Sequence, residues 1–270
     1  MLLSGVELKK LKMSLRVNIA TAAISCLLLV ACGDNDSALK PSSDSEYKRT
    51  PCDVELDNNC IKDDRDGQTY RTVKIGDQVW MAENLNYRYL GPTADLDSSS
   101  FCYNDDPANC TKYGRLYLWS AAMDSAGIIK GNTANDCGNG RMCAPSGTVR
   151  GVCPQGWRLP SYDEWEALIV AVNGVCNEVP ECMYVHSNHL ISTNGWNIDY
   201  PGDDESSFSA LPAGYRTING YHYEGAETFF WSSTDENRRS VCFLHIYDDL
   251  VSPRCDNSKD DGFSVRCLKD

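Results

Sequence analysis

The chain has 270 residues, 42% of them hydrophobic, and a formal net charge of −13 at pH 7. That apolar content supports a folded core and excludes a chain disordered throughout, while the length suits one large domain or two small ones. The acidity is broken by no basic cluster, which excludes nucleic acid and anionic lipid headgroups as direct partners.

The first 31 residues read as an export signal. Lys9, Lys10, Lys12 and Arg16 precede an apolar run, "VNIATAAISCLLLVA", too short for a spanning helix. Met13 offers an alternative start. Leu29-Val30-Ala31-Cys32 followed by Gly33 resembles the lipobox of bacterial lipoproteins, which implies cleavage before Cys32, acylation of its thiol and a lipid-anchored protein. Gly33 rather than Asp after the cysteine implies, by analogy with lipoprotein sorting, an outer-membrane or cell-surface destination. Residues 32–65 then form a polar tether rich in Ser, Asp, Asn and Lys.

Of 14 cysteines, Cys26 lies in the leader and Cys32 takes the lipid, leaving twelve. An even set in an exported chain reads as a disulfide framework. Close sequence pairs suggest Cys52–Cys60, Cys102–Cys110, Cys137–Cys143, Cys176–Cys182 and Cys242–Cys255, and Cys153–Cys267 remains as one long bridge. No CxxC is present, which disfavours zinc.

Ordered structure is expected from Asp66, so the domain spans 66–270. In "DGQTYRTVKIGDQVWMAENL", Gly76-Asp77 turns one strand into another. "GRLYLWSAAMDSAG" runs from strand into helix, and residues 130–153 are loop. "RLPSYDEWEAL" carries the S-x-x-E capping box at Ser161 and Glu164, with Asp163 at the positive end of the helix dipole. Trp165, Leu168, Ile169 and Val172 form one apolar face, and Asn173-Gly174 ends the helix. The carboxylates therefore read as structural rather than catalytic, with Glu166 the exception.

"HSNH" reads as a loop with surface histidines, His186 and His189, and His245 falls in a strand pattern. "PGDDESS" places Asp203, Asp204 and Glu205 together as a Ca²⁺ candidate, against the plainer reading of a solvated acidic turn. "FSALPAGYR", "ETFFWSSTD", "SVCFLHIYDD" and "GFSVRCLK" read as strands, with "INGYHYEG" and "DDLVSP" as turns. In the last strand Phe263, Val265 and Cys267 alternate with Ser264 and Arg266, as on a half-buried strand. The class is α+β: short antiparallel strands, about two helices, long stapled loops.

The motifs "DGQTYRTVKIGDQVWMAENL", "YGRLYLWSAAM", "VCPQGWRLPSYDEWEAL", "FSALPAGYR", "FFWSST" and "SVRCLKD", in this order, resemble the Fibrobacter succinogenes major paralogous domain. The resemblance covers residues 66 to 270. It implies a C-type-lectin-like fold related to the formylglycine-generating group, on exported, often lipid-anchored proteins.

No GxSxG, unpaired cysteine beside a histidine, or second cleft carboxylate nominates catalysis, so a non-enzyme is expected. Tyr221 and Tyr223, near a turn, are candidates for stacking on sugar rings. Trp80, Trp157, Trp165 and Trp231 read as core. The expected role is a surface-anchored binding or adhesion module for an extracellular polysaccharide or cell-surface protein, with no cofactor beyond Ca²⁺. The alternatives are an exported enzyme of the formylglycine-generating group and a purely structural envelope lipoprotein.

Overall fold

The computed structural model describes residues 50–91, 99–134, 136–143, 145, 147–173, 185–186, 188–197 and 202–270. Cys32, the signal, the Cys176–Cys182 pair, Gly174 and the side chain of His186 lie outside the described residues. Within them are fourteen short strands, three α-helices and five disulfides. Every pairing between these strands is antiparallel.

The hairpin forms where the turn residues place it. β2 (Thr69–Ile75) pairs with β3 (Gln78–Met81), Ile75 opposite Gln78, and Gly76 supplies the left-handed φ of 58° that the two-residue turn requires. Order begins earlier than Asp66, however. β1 (Cys60–Lys62) adds to β2 as the edge strand, Cys60 opposite Arg71, and the Cys52–Cys60 bridge ties its first residue to the segment before it. The last strand, β14 (Leu268–Lys269), enters between β3 and β6 (Trp157–Arg158), giving the order β1-β2-β3-β14-β6. The 114-residue Cys153–Cys267 bridge is buried beside it.

A second sheet has the order β10-β11-β12-β7, built from β10 (Glu227–Asp235), β11 (Ser240–Tyr247), β12 (Leu250–Ser258) and β7 (Val185–His186). Side chains on both faces of β10, β11 and β12 are buried, and alternation assigns them to two cores. Phe229, Trp231, Val241 and Phe243 join a cluster with Trp119, Cys153, Phe263 and Cys267. Phe230, Leu244, Ile246 and Val251 join Trp80, Phe208 and the apolar face of α3 (Tyr162–Asn173). Trp80, Trp165 and Trp231 are fully enclosed and Trp157 is 5% exposed. The Trp80 and Trp165 rings stack at 4.7 Å, and Trp231 Nε1 donates to Tyr117 O at 2.6 Å.

α3 starts on the capping box: Glu164 N donates to Ser161 Oγ at 3.3 Å and Ser161 N to the Glu164 carboxylate at 2.8 Å. Arg158 also donates to that carboxylate at 2.6 Å, so Glu164 has a second structural role.

The third sheet, β4-β5-β13-β8-β9, combines β4 (Ser100–Phe101), β5 (Leu116–Leu118), β13 (Gly262–Phe263), β8 (Tyr215–Thr217) and β9 (Gly220–His222). Between β4 and β5 runs α1 (Pro107–Tyr113), capped by Asp106, whose side chain accepts from Ala108 N at 2.9 Å. α2 (Trp119–Ala122) follows β5 directly.

Three expectations change here. "FSALPAGYR" is a strand only from Tyr215, since Pro212 has no N–H and Gly214 turns left-handed at φ 61°. The expected turn "INGYHYEG" contains β9, and the turn shrinks to Ile218-Asn219 between Thr217 and its partner Gly220. "DDLVSP" likewise holds the start of β12, with only Asp248 and Asp249 between Tyr247 and Leu250; Pro253 is tolerated because the β7 pairing ends at Val251.

A fourth change concerns the last segment of the chain. Ser264 and Arg266 do not face solvent: both are 0% exposed, like Phe263, Val265 and Cys267. The segment is buried on both sides, and its polar residues find polar partners inside.

Candidate functional site

Arg266 is the floor of a small cavity. Its guanidinium donates to Asn84 Oδ1 at 2.7 Å, Met81 O at 3.3 Å, Ser209 O at 3.0 Å and Phe208 O, and lies 4.4 Å from the Phe208 ring centre. These bonds, and the stacking that a planar guanidinium allows, offset the large cost of burying a charge. Asn84 holds the arrangement in place by donating to Tyr113 O at 2.8 Å and Ser264 Oγ at 3.3 Å.

The cavity is about 180 Å³ and is walled by segments far apart in the chain. Arg71 and Glu83 come from the first hairpin and its continuation, Lys112 to Gly114 from the end of α1, Ser192 to Asn194 from one loop, and Asp204 and Ser209 from another. Gly114 permits the close approach: at φ 77°, an added Cβ would sit 2.8 Å from Asn84 Cβ and 2.9 Å from Leu85 O. Glu83 is 7% exposed, accepts from Arg71 N at 2.8 Å and lies 3.6 Å from the Arg71 guanidinium. Asp204 accepts from Ser209 N at 2.7 Å and Ser209 Oγ at 2.5 Å. Burial pushes its pKa up, opposed by those bonds and by the charges of Arg266 and Arg71.

Of the three acids expected to hold Ca²⁺, the structure keeps two together and sets the third apart. Asp204 turns into the cavity loop, with φ 54°, and leaves its two neighbours. Asp203 and Glu205 converge instead on His189, whose Nδ1 is 2.9 Å from Asp203 Oδ1 and 3.5 Å from Glu205 Oε2. The hydrogen bond to Asp203 raises the His189 pKa. The result is an exposed imidazole–carboxylate cluster, pinned by Ser206 Oγ donating to His189 O at 2.5 Å. Consecutive residues in a turn cannot all aim their carboxylates at one point unless the loop wraps around it. The second cluster of metal-ligating types, Glu236 with Cys242 and Cys255, is closed by the Cys242–Cys255 disulfide.

Tyr221 and Tyr223 also separate. Tyr221 OH donates to Asp105 at 2.5 Å, and its ring lies 5.2 Å from Tyr103. Burial, with the Asp105 bond, pushes the Tyr221 pKa up to about 12. Tyr223 has φ 61° and is 55% exposed. It begins a row of rings that was not legible in the sequence. Tyr223 stacks on Tyr215 at 5.9 Å, Tyr215 meets Phe229 at 4.7 Å, Phe229 stacks on His245 at 4.1 Å and His245 on Tyr247 at 4.6 Å. The row joins the first core, at Phe229, to half-buried Tyr215 and Tyr247 and exposed Tyr223. Its signal in the sequence is only the cross-strand pairing of Phe229 with His245 and Glu227 with Tyr247.

Glu227 Oε2 and His245 Nε2 are 2.8 Å apart within this row. Burial pushes the His245 pKa down to about 4, helped by Arg254, and burial raises that of Glu227. Burial thus works against the charged form of each. A histidine held neutral in the fold protonates first in the unfolded chain, so it withdraws stability as pH falls from its ordinary value of about 6.5 towards 4. His245→Phe is expected to flatten the melting temperature between pH 6.5 and 4 relative to the wild type. Parallel curves in a thermal-melt series would show that His245 is not the group responsible.

A family model, the Fibrobacter succinogenes major domain, matches residues 73–269. No curated protein and no solved structure matches the chain.

Proposed function

We propose, from the premise that the chain belongs to the Fibrobacter succinogenes major domain family, that it is a non-catalytic binding module for an extracellular ligand, a glycan or a protein. The observation that carries this reading is the ring row ending at exposed Tyr223 and half-buried Tyr247, with Glu227 beside it. Flat rings stack on the C–H faces of sugars while carboxylates accept from hydroxyls. A C-type-lectin-like architecture belongs to the same proposal and is supported by the family resemblance and the antiparallel sheets bearing long stapled loops. So do export and anchoring through Cys32, which the leader pattern and the disulfides support. No helix among the described residues is long and apolar enough to cross a membrane, and the lipid would hold the module at the surface.

The full chain should be retained on insoluble polysaccharides, and the Tyr223→Ala/Tyr247→Ala pair should weaken retention about tenfold. Retention unchanged by the pair would remove the row from the binding surface. Absence of retention on any polysaccharide would remove the glycan form, leaving a protein partner to be sought by cross-linking on intact cells.

A further inference from the structure

The charge inside the cavity runs against the charge of the protein. The whole chain carries −13, yet Arg71, Lys112 and Arg266 face only Glu83 and Asp204 across the cavity walls. Arg71 and Glu83 lie beside each other at 3.6 Å, and the field of Arg266 falls on Asp204. The remaining cation is Lys112. Its ammonium lies 4.5 Å from the Tyr113 ring centre, and no ion pair joins it to a carboxylate among the described residues. Because Glu83 and Asp204 are already bonded to Arg71 and Ser209, neither is left to neutralise it, although the Asp204 carboxylate has lone pairs for further hydroxyl donors.

The volume limits what fits. About 180 Å³ holds the equivalent of roughly half a dozen waters, well below the usual size of a drug-sized pocket. That is room for one sugar-sized ring. The lining combines carboxylate, guanidinium, amide and hydroxyl groups with the apolar surfaces of Ala82, Tyr113 and Leu211, suited to a ring with hydroxyls at its rim and C–H on its faces.

We propose that this cavity binds a single sugar acid, a hexuronate residue, with its carboxylate on Lys112 at the mouth and its hydroxyls on Asp204 and Asn194. The proposal rests on the glycan form of the binding-module reading and names its ligand class. An acidic protein would select such a residue through one local cation while its surface repels dense polyanions. The ligand is therefore an isolated or terminal uronate rather than a continuous acidic run.

Calorimetric titration of the full chain with glucuronate, galacturonate and glucose at low salt tests this. A uronate is expected to bind about tenfold more tightly than glucose, and the preference should shrink as salt rises. Lys112→Met should reduce the preference to within about threefold, and Asn194→Trp, which fills the mouth, should abolish binding of both sugars; near-UV circular dichroism checks that each variant folds. Glucose binding as tightly as the uronates, or a preference that survives Lys112→Met, overturns the proposal. If no monosaccharide binds but polysaccharide is retained and then lost in the Tyr223/Tyr247 variant, the cavity assignment falls and the wider reading stands. If neither monosaccharide nor polysaccharide binds, both fall.

Discussion

Replacing Cys153 and Cys267 together by alanine is expected to lower unfolding free energy by about 4–5 kcal/mol, the chain-entropy value for closing a loop of roughly a hundred residues. The bridge spans 114 residues with a Cα–Cα distance of 5.9 Å, and both cysteines are fully buried. Alanine avoids burying an unpaired hydroxyl, which serine would add. The effect has a structural target. Cys267 immediately precedes β14, the two-residue strand paired with both β3 and β6 in the first sheet. So short a strand makes few hydrogen bonds, and the bridge restricts where its chain can go when unfolded. Cys52–Cys60 closes only 8 residues, and its removal should cost about 2–3 kcal/mol on the same account. Urea unfolding of both double variants compares them directly. Equal losses would show that packing, not loop closure, holds β14 in place.

Lys259→Ala is the second large effect, about 3–5 kcal/mol, because it strands a buried carboxylate. Lys259 is 1% exposed; its Nζ is 2.6 Å from Asp235 Oδ1 and donates to Arg141 O at 2.8 Å, with the Trp119 ring centre at 4.6 Å. Asp235 also accepts from Cys143 N at 2.6 Å, so this one pair fastens the loop closed by Cys137–Cys143 onto the end of β10. Removing both charges should hurt less than removing one. Lys259→Met with Asp235→Asn keeps an acceptor for Cys143 N and is expected to recover most of the loss. A denaturation-based double-mutant cycle measures the coupling; a double variant no more stable than Lys259→Ala would mean that the lysine acts through packing rather than charge.

Local rules carried a good part of the structure. The capping box at Ser161 and Glu164, the Gly76-Asp77 hairpin turn and the apolar face of α3 are decided within a few residues, so they can be read from the chain. The family match over residues 73–269 has the same origin, since ordered motifs survive as sequence. The strand limits around Pro212, Gly220 and Leu250 were less legible, because the turns at Ile218-Asn219 and Asp248-Asp249 are only two residues long and residues that read as turn already begin the returning strand, while Pro212 and Gly214 delay the start of β8.

The buried charges and the candidate-site residues lie beyond those rules. Lys259 in "DNSKDDG" and Arg266 in "SVRCLKD" look like solvated charges, yet both are buried. Arg266 is tolerated inside because Asn84, 182 positions away, and the carbonyls of Phe208 and Ser209 meet it there. Asp203 and Asp204 are adjacent in the chain but point to different partners, His189 and Ser209. By itself, the sequence determined where the first hairpin turns, how the main helix begins and which family the chain joins, because short-range hydrogen bonding and side-chain periodicity set these. Only the tertiary structure decided which charges are buried, which carboxylates share a site and which rings form the row, because a buried polar group is stable only where distant segments bring its partners.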